Sequence, residues 1–219
     1  MHDQHTHPLA RRHRVLGLGS PHRQFSRGFS LVEVLVSIVV LSFGLLGMVG
    51  MQAAALKSNR EARLQSSAVV LARELAEMIR GNRVVGVLPA ATNPYVGSFA
   101  GGTFTSTVGV PRYCLSVGST PVCANTTETA NAEMTEWLER VNAELPGARV
   151  DVCYDSAPFD ANGLPQWTCT GTGGIMVVKI GWTRGSTDKS QTGAGAFFYA
   201  TGLNAVPSVV FPVTAGSAT

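Results

Sequence analysis

Histidine is missing from the whole stretch between Phe29 and Thr219. All five histidines (His2, His5, His7, His13 and His22) lie ahead of it. A chain beginning at Phe29 therefore has no Ser-His-Asp or Cys-His system and no imidazole for a metal. Charge is also scarce, at 14% of residues against about a quarter in an average soluble protein. The formal net charge of +3 comes from the N-terminus. Residues 1–28 hold Arg11, Arg12, Arg14, Arg23 and Arg27 against one acid, Asp3, and the remainder carries 12 basic and 13 acidic side chains. Later arginines are scattered (Arg112, Arg140, Arg149, Arg184), so no basic, aromatic face for specific nucleic-acid binding is expected. The cysteines form no CxxC pair, Asp151, Asp155 and Asp160 lack calcium-loop spacing, and there is no internal repeat. Without histidine, enzymatic chemistry would rest on carboxylate pairs or Ser-Lys. Turn formation and solubility account better for the three aspartates. No catalytic residue, metal site or cofactor is expected.

What the sequence does have is one long run without charge, Val34 to Leu56. At ~1.5 Å per residue it reaches about 34 Å, enough for a hydrocarbon core of ~30 Å. The arginine-rich flank before it places residues 1–28 in the cytoplasm and the remainder outside. Arg11-Arg12 raises a twin-arginine signal, but the apolar run is too distant and too long for one. Residues 1–28 therefore read as a leader, outside the fold.

No helix breaker follows the run. Leu64, Ala68, Leu71, Leu75 and Ile79 recur on one face, with Gln65, Ser66, Arg73, Glu77 and Arg80 on the other, until Gly81-Asn82 offers a stop. One helix from near Phe29 to near Arg80 is expected, its first half spanning membrane and its second laying an apolar stripe on a head. A second helix is expected over about 127–145, capped by Thr126 or Thr127 and stopped by Pro146-Gly147. Strand patterns occupy 102–110, 113–117, 148–155, 174–184 and 195–203, and the last three suggest an antiparallel meander. The fold class is thus α+β: a long N-terminal helix on a small antiparallel sheet with one extra helix. The expected divisions are a leader (1–28), a membrane half-helix (29–56), an amphipathic half-helix (57–82), a head (83–205) and a loose, proline-broken tail (206–219).

Cys114, Cys123, Cys153 and Cys169 all lie beyond the apolar run. An even number in an exported head suggests two disulfides. Of three pairings, Cys114–Cys123 and Cys153–Cys169 are favoured, because each closes a short loop between strand patterns; free buried thiols are the alternative.

Glu33 is an acid at the mouth of the apolar run, with no Lys or Arg on the helix until Lys57. Such a group needs a named partner or a route to the membrane surface. A cut after Gly28 would free an ammonium on Phe29, four residues away and about 6 Å along the axis. That position suits the carboxylate of a staggered neighbouring copy better than its own.

The stretch Arg27-Gly28-Phe29-Ser30-Leu31-Val32-Glu33, followed by an uncharged run, resembles the prepilin motif of type IV pilins and type II secretion pseudopilins. The resemblance implies that a membrane prepilin peptidase cuts after Gly28 and N-methylates Phe29. It also implies that Glu33 acts in filament assembly through the neighbouring subunit's N-terminus. In the head, Trp137, Leu145-Pro146-Gly147 and the segment around Trp182 resemble the minor-pilin family PilV over about residues 29–185. By that likeness the chain would be a non-enzymatic subunit supporting pilus assembly, twitching motility and adhesion. Its partners would be the major pilin and other minor pilins. It would sit single-pass in the inner membrane, head in the periplasm, before entering the fibre, its base or its tip. A type II secretion pseudopilin and a membrane-anchored binding module are the alternatives. Many major pilins carry a proline in this helix; here Gly44, Gly47 and Gly50 stand instead. Each weakens a helix by about 0.8–1 kcal/mol relative to alanine, so local unwinding in a fibre is expected.

Overall fold

The structure, a computed structural model, describes residues 28–100, 113–116, 118, 120, 122–188 and 190–216. The leader as far as Arg27, the strand pattern at 102–110 and the last three residues of the tail lie outside the described residues. The chain divides into two units, Met1–Gly50 and Met51–Thr219. Helix α1 (Leu31–Gly81) contributes to both, in agreement with the single long helix expected.

In the first unit, the carbonyl of Ser30 accepts from the amides of Glu33 (3.0 Å) and Val34 (3.2 Å) and opens the helix. From Leu31 to Gly50 every side chain is exposed. The hydroxyls of Ser37 and Ser42 donate to the carbonyls of Glu33 and Ile38, each at 2.7 Å, so they are satisfied inside the helix. This is the only helix among the described residues long and apolar enough to cross a membrane.

In the second unit, the continuation of α1 buries Ala68, Leu71, Ala72, Leu75, Ala76 and Ile79 and exposes Arg73 and Glu77, one apolar stripe at helical spacing. A short helix, α2 (Arg83–Gly86), follows. Helix α3 (Thr126–Glu144) begins at Asn125, whose side chain accepts from the amide of Glu128 at 2.9 Å. The Glu128 carboxylate reaches back to the amide of Ala124, also at 2.9 Å. This reciprocal cap resembles a capping box. Trp137, fully buried on α3, donates its indole N–H to the carbonyl of Leu71 at 2.9 Å. Arg140 adds a two-pronged bond to Glu74 at 2.8 and 2.6 Å. Beyond Pro146, Gly147 has φ +57°, and a Cβ there would stand 2.3 Å from the Thr183 hydroxyl. Glycine is needed at that turn for both reasons.

Strands β1 (Gly97–Ala100), β2 (Arg149–Tyr154), β3 (Met176–Gly181) and β6 (Val209–Val213) form an antiparallel sheet in the order β1-β2-β3-β6. The register pairs Val150 with Ile180 and Val152 with Val178, and sets Phe211 beside Val178. With Phe99 these make the face that joins the core of α1 and α3. Strands β4 (Arg184–Gly185) and β5 (Phe197–Phe198) form a separate two-stranded ladder.

The α+β plan is as the sequence implies, but four expectations fail. The cap of α3 is Asn125 rather than Thr126 or Thr127. Tyr113–Ser116 is not a strand. The 195–203 pattern does not supply the third strand of the meander: only Phe197–Phe198 pairs, with β4, and both phenylalanines are exposed. The supposedly loose tail supplies it instead. Val209 and Val213 are buried and Phe211 packs against the core. Pro212, which lacks an amide to donate, is tolerated because β6 lies at the edge of the sheet.

Candidate functional site

Gly28, Phe29 and Ser30 precede the first turn of α1, with Phe29 82% exposed. Nothing lies within 4 Å of where a side chain on Gly28 would stand. The Gly28–Phe29 bond therefore lies ahead of the helix on exposed backbone, open to a protease cleft. Glu33 sits in the first turn of α1, where the helix dipole favours an anion. Among the described residues no cation pairs with its carboxylate. The nearest basic residue along the helix is Lys57, and its ammonium is bonded to the carbonyl of Ser186 at 3.2 Å. Gly44, Gly47 and Gly50 have open space where side chains would be, so nothing among the described residues requires glycine there.

The head contains a second carboxylate in apolar surroundings, Asp155, at the end of β2. It meets Lys179 in the middle of β3 at 2.6 Å, both side chains fully buried. The Lys179 ammonium also donates to the carbonyls of Thr168 (3.0 Å) and Trp167 (3.4 Å). The other Asp155 oxygen accepts from the amides of Ala157 and Thr170 at 3.0 and 3.3 Å. Burial pushes the Asp155 pKa up, but the Lys179 ammonium and the two amides outweigh it and hold the carboxyl below its usual range.

These bonds fasten the loop 156–175 over the sheet face opposite the core. Trp167 packs on Gly181, where a Cβ would come within 2.8 Å of the ring, and Arg149 lies 4.2 Å from the ring centroid. Cys153 is joined to Cys169 across the same loop, with Cα atoms 6.3 Å apart. Cys114 is joined to Cys123, Cα atoms 5.2 Å apart. Beside that second bridge Tyr113 donates to Glu139 of α3 at 2.5 Å.

Cys153, Asp155 and Cys169 place their ligand-type atoms close together. The two sulfurs are bonded to each other and the carboxylate is held by Lys179, so the donor set offers no thiolate to a metal. The three aspartates grouped in sequence are separated in function. Asp151 bonds to Ser98 and, at 2.9 Å, to Arg149. Asp155 holds Lys179. Asp160 caps its own turn through the amides of Asn162 and Leu164, each at 2.8 Å. Lys179 went unnoticed in the sequence. Its signal was there: a lone lysine inside the buried strand Met176–Gly181 must find an anion.

Residues 23–49 match the family model described as the prokaryotic N-terminal methylation motif. No curated protein and no solved structure matches the chain. The head architecture, a long helix on a small antiparallel sheet with one extra helix, has the form of the α+β pilin-like fold. The motif fits a membrane-anchored, type IV prepilin-like or pseudopilin chain. It implies processing by a prepilin peptidase and assembly with other pilins, and proteins that carry it are typically structural rather than enzymatic.

Proposed function

We propose that this chain is a minor type IV pilin, a non-enzymatic subunit that supports pilus assembly and, through it, twitching motility and adhesion. The observation that carries the proposal is Gly28-Phe29 with Glu33 at the head of the fully exposed apolar segment Leu31–Gly50 of α1, within the matched motif. In this reading prepilin peptidase cuts after Gly28 and methylates the amine freed on Phe29. Glu33 accepts that amine from a neighbouring subunit, so an acid that is unpaired in lipid becomes paired on assembly and fixes the register of packing. The leader stays cytoplasmic, the head is periplasmic, and the four cysteines form the bridges an oxidising compartment permits. The PilV likeness around Trp137, Pro146-Gly147 and Trp182 favours the pilus over a secretion pseudopilus.

The test is a gene deletion complemented by wild type or by Glu33→Ala, with surface pili, twitching and type II secretion measured together. Lost piliation and twitching with intact secretion, restored by wild type and not by Glu33→Ala, is the expected result. Lost secretion with intact pili would replace the minor-pilin reading with the pseudopilin one.

A further inference from the structure

The second unit exposes an aromatic patch that its own core does not use. Phe197 and Phe198 of β5 and the adjoining Tyr199 are each about half exposed. Their placement along α1 is specific. Phe197 pairs with Gly185, and a Cβ on Gly185 would lie 3.3 Å from the Lys57 side chain. The Lys57 ammonium bonds to the Ser186 carbonyl. Ala54, Lys57, Arg60, Phe197 and Phe198 line one open groove. The uncharged run ends at Leu56. A bilayer core of ~30 Å takes up about 20 helical residues, so the last few of the run, Ala54 among them, emerge at headgroup level.

We propose that the β4–β5 hairpin is a membrane-interface anchor, its aromatic side chains resting among the phospholipid headgroups of the leaflet from which α1 emerges. This rests on the membrane-anchored reading of α1. Tyrosine suits that layer because its ring meets the acyl boundary and its hydroxyl meets water, and the phenylalanines add apolar area at the same depth. The groove carries three cations, Lys57, Arg60 and Arg184, against two acids, Glu61 and Asp188, a balance suited to lipid phosphates. The hairpin is tied to α1 by Lys57, so the head has a fixed point of contact with the bilayer. Leaving the membrane for a fibre would require that contact to break.

The test uses the full chain in vesicles, with brominated phospholipid as one quencher and aqueous acrylamide as the other. Tryptophan is introduced as Phe198→Trp, as Tyr199→Trp in case the first variant misfolds, and as Phe159→Trp on the exposed part of the 156–175 loop. Alkaline extraction reports separately whether α1 is inserted. The expected result is that emission added at 198 or 199 is quenched by headgroup-proximal bromine and spared by acrylamide, with the reverse at 159. If the chain resists extraction yet position 198 or 199 is quenched by acrylamide alone, or by neither quencher because protein covers it, the hairpin proposal is overturned. If alkali extracts the chain, the anchored reading falls and the hairpin proposal with it.

Discussion

Asp155 and Glu33 are both carboxylates set among apolar residues, and they are handled in opposite ways. Asp155 is sealed in the head with a lysine and two amides, every oxygen bonded. Glu33 stands on a helix segment whose side chains are all exposed, with no cation partner among the described residues. The two parts of α1 differ likewise. Met51–Gly81 has one apolar stripe and one charged face, whereas Leu31–Gly50 is apolar all round except for Glu33 and two serines. A group whose partner is in the chain serves folding. A group left waiting on a lipid-type surface points to a partner outside the chain.

The sharpest way to break this contrast is to remove one charged group from each side. Lys179→Ala would leave Asp155 buried and unpaired, and about 3–5 kcal/mol of head stability should be lost, read from thermal melting in detergent. Glu33→Ala should leave that melting temperature unchanged while incorporation into filaments collapses. Equal effects on both readouts would erase the distinction. The disulfides come next. Replacing Cys153 and Cys169 together by serine should cost about 3 kcal/mol, and replacing Cys114 and Cys123 somewhat less because the loop is shorter; both can be measured by denaturant unfolding.

Acid titration sharpens the same point. The Asp155 pKa is lower folded than unfolded, so its contribution is fully present above the ordinary carboxyl value of about 3.9 and is lost as pH falls through the folded value. The head should lose stability below about pH 4, and that slope should flatten in Asp155→Asn. The smallest effect belongs to Glu74→Gln. It breaks a surface pair with Arg140 and should cost about 0.2–1 kcal/mol, an amount that high salt should shrink.

The sequence announced the helices best, because their signals are long and local: 3.6-residue periodicity in Leu64–Ile79, and an apolar face closed by Pro146-Gly147 in the second helix, whose cap alone was misplaced by a residue or two. The prepilin-like stretch was equally legible, since its meaning depends on neighbours in sequence. Strands fared worse. β6 was hidden by Pro212, which reads as a breaker unless the strand is known to lie on an edge. Phe197-Phe198 read as part of a meander strand over 195–203, because pairing and exposure are decided by what packs there and not by residue type. The Asp155–Lys179 pair joins residues far apart in the chain, so neither half identified the other.

The central claim is that residues 1–28 are a leader removed to create a methylated N-terminus at Phe29. It is tested most directly by mass spectrometry of the intact chain and its N-terminal peptide, isolated from native membranes with and without prepilin peptidase. The account predicts a chain beginning at N-methylated Phe29 when the peptidase is present, and an uncut chain when it is absent. A chain that keeps residues 1–28 in the presence of the peptidase, or is cut elsewhere, would contradict it.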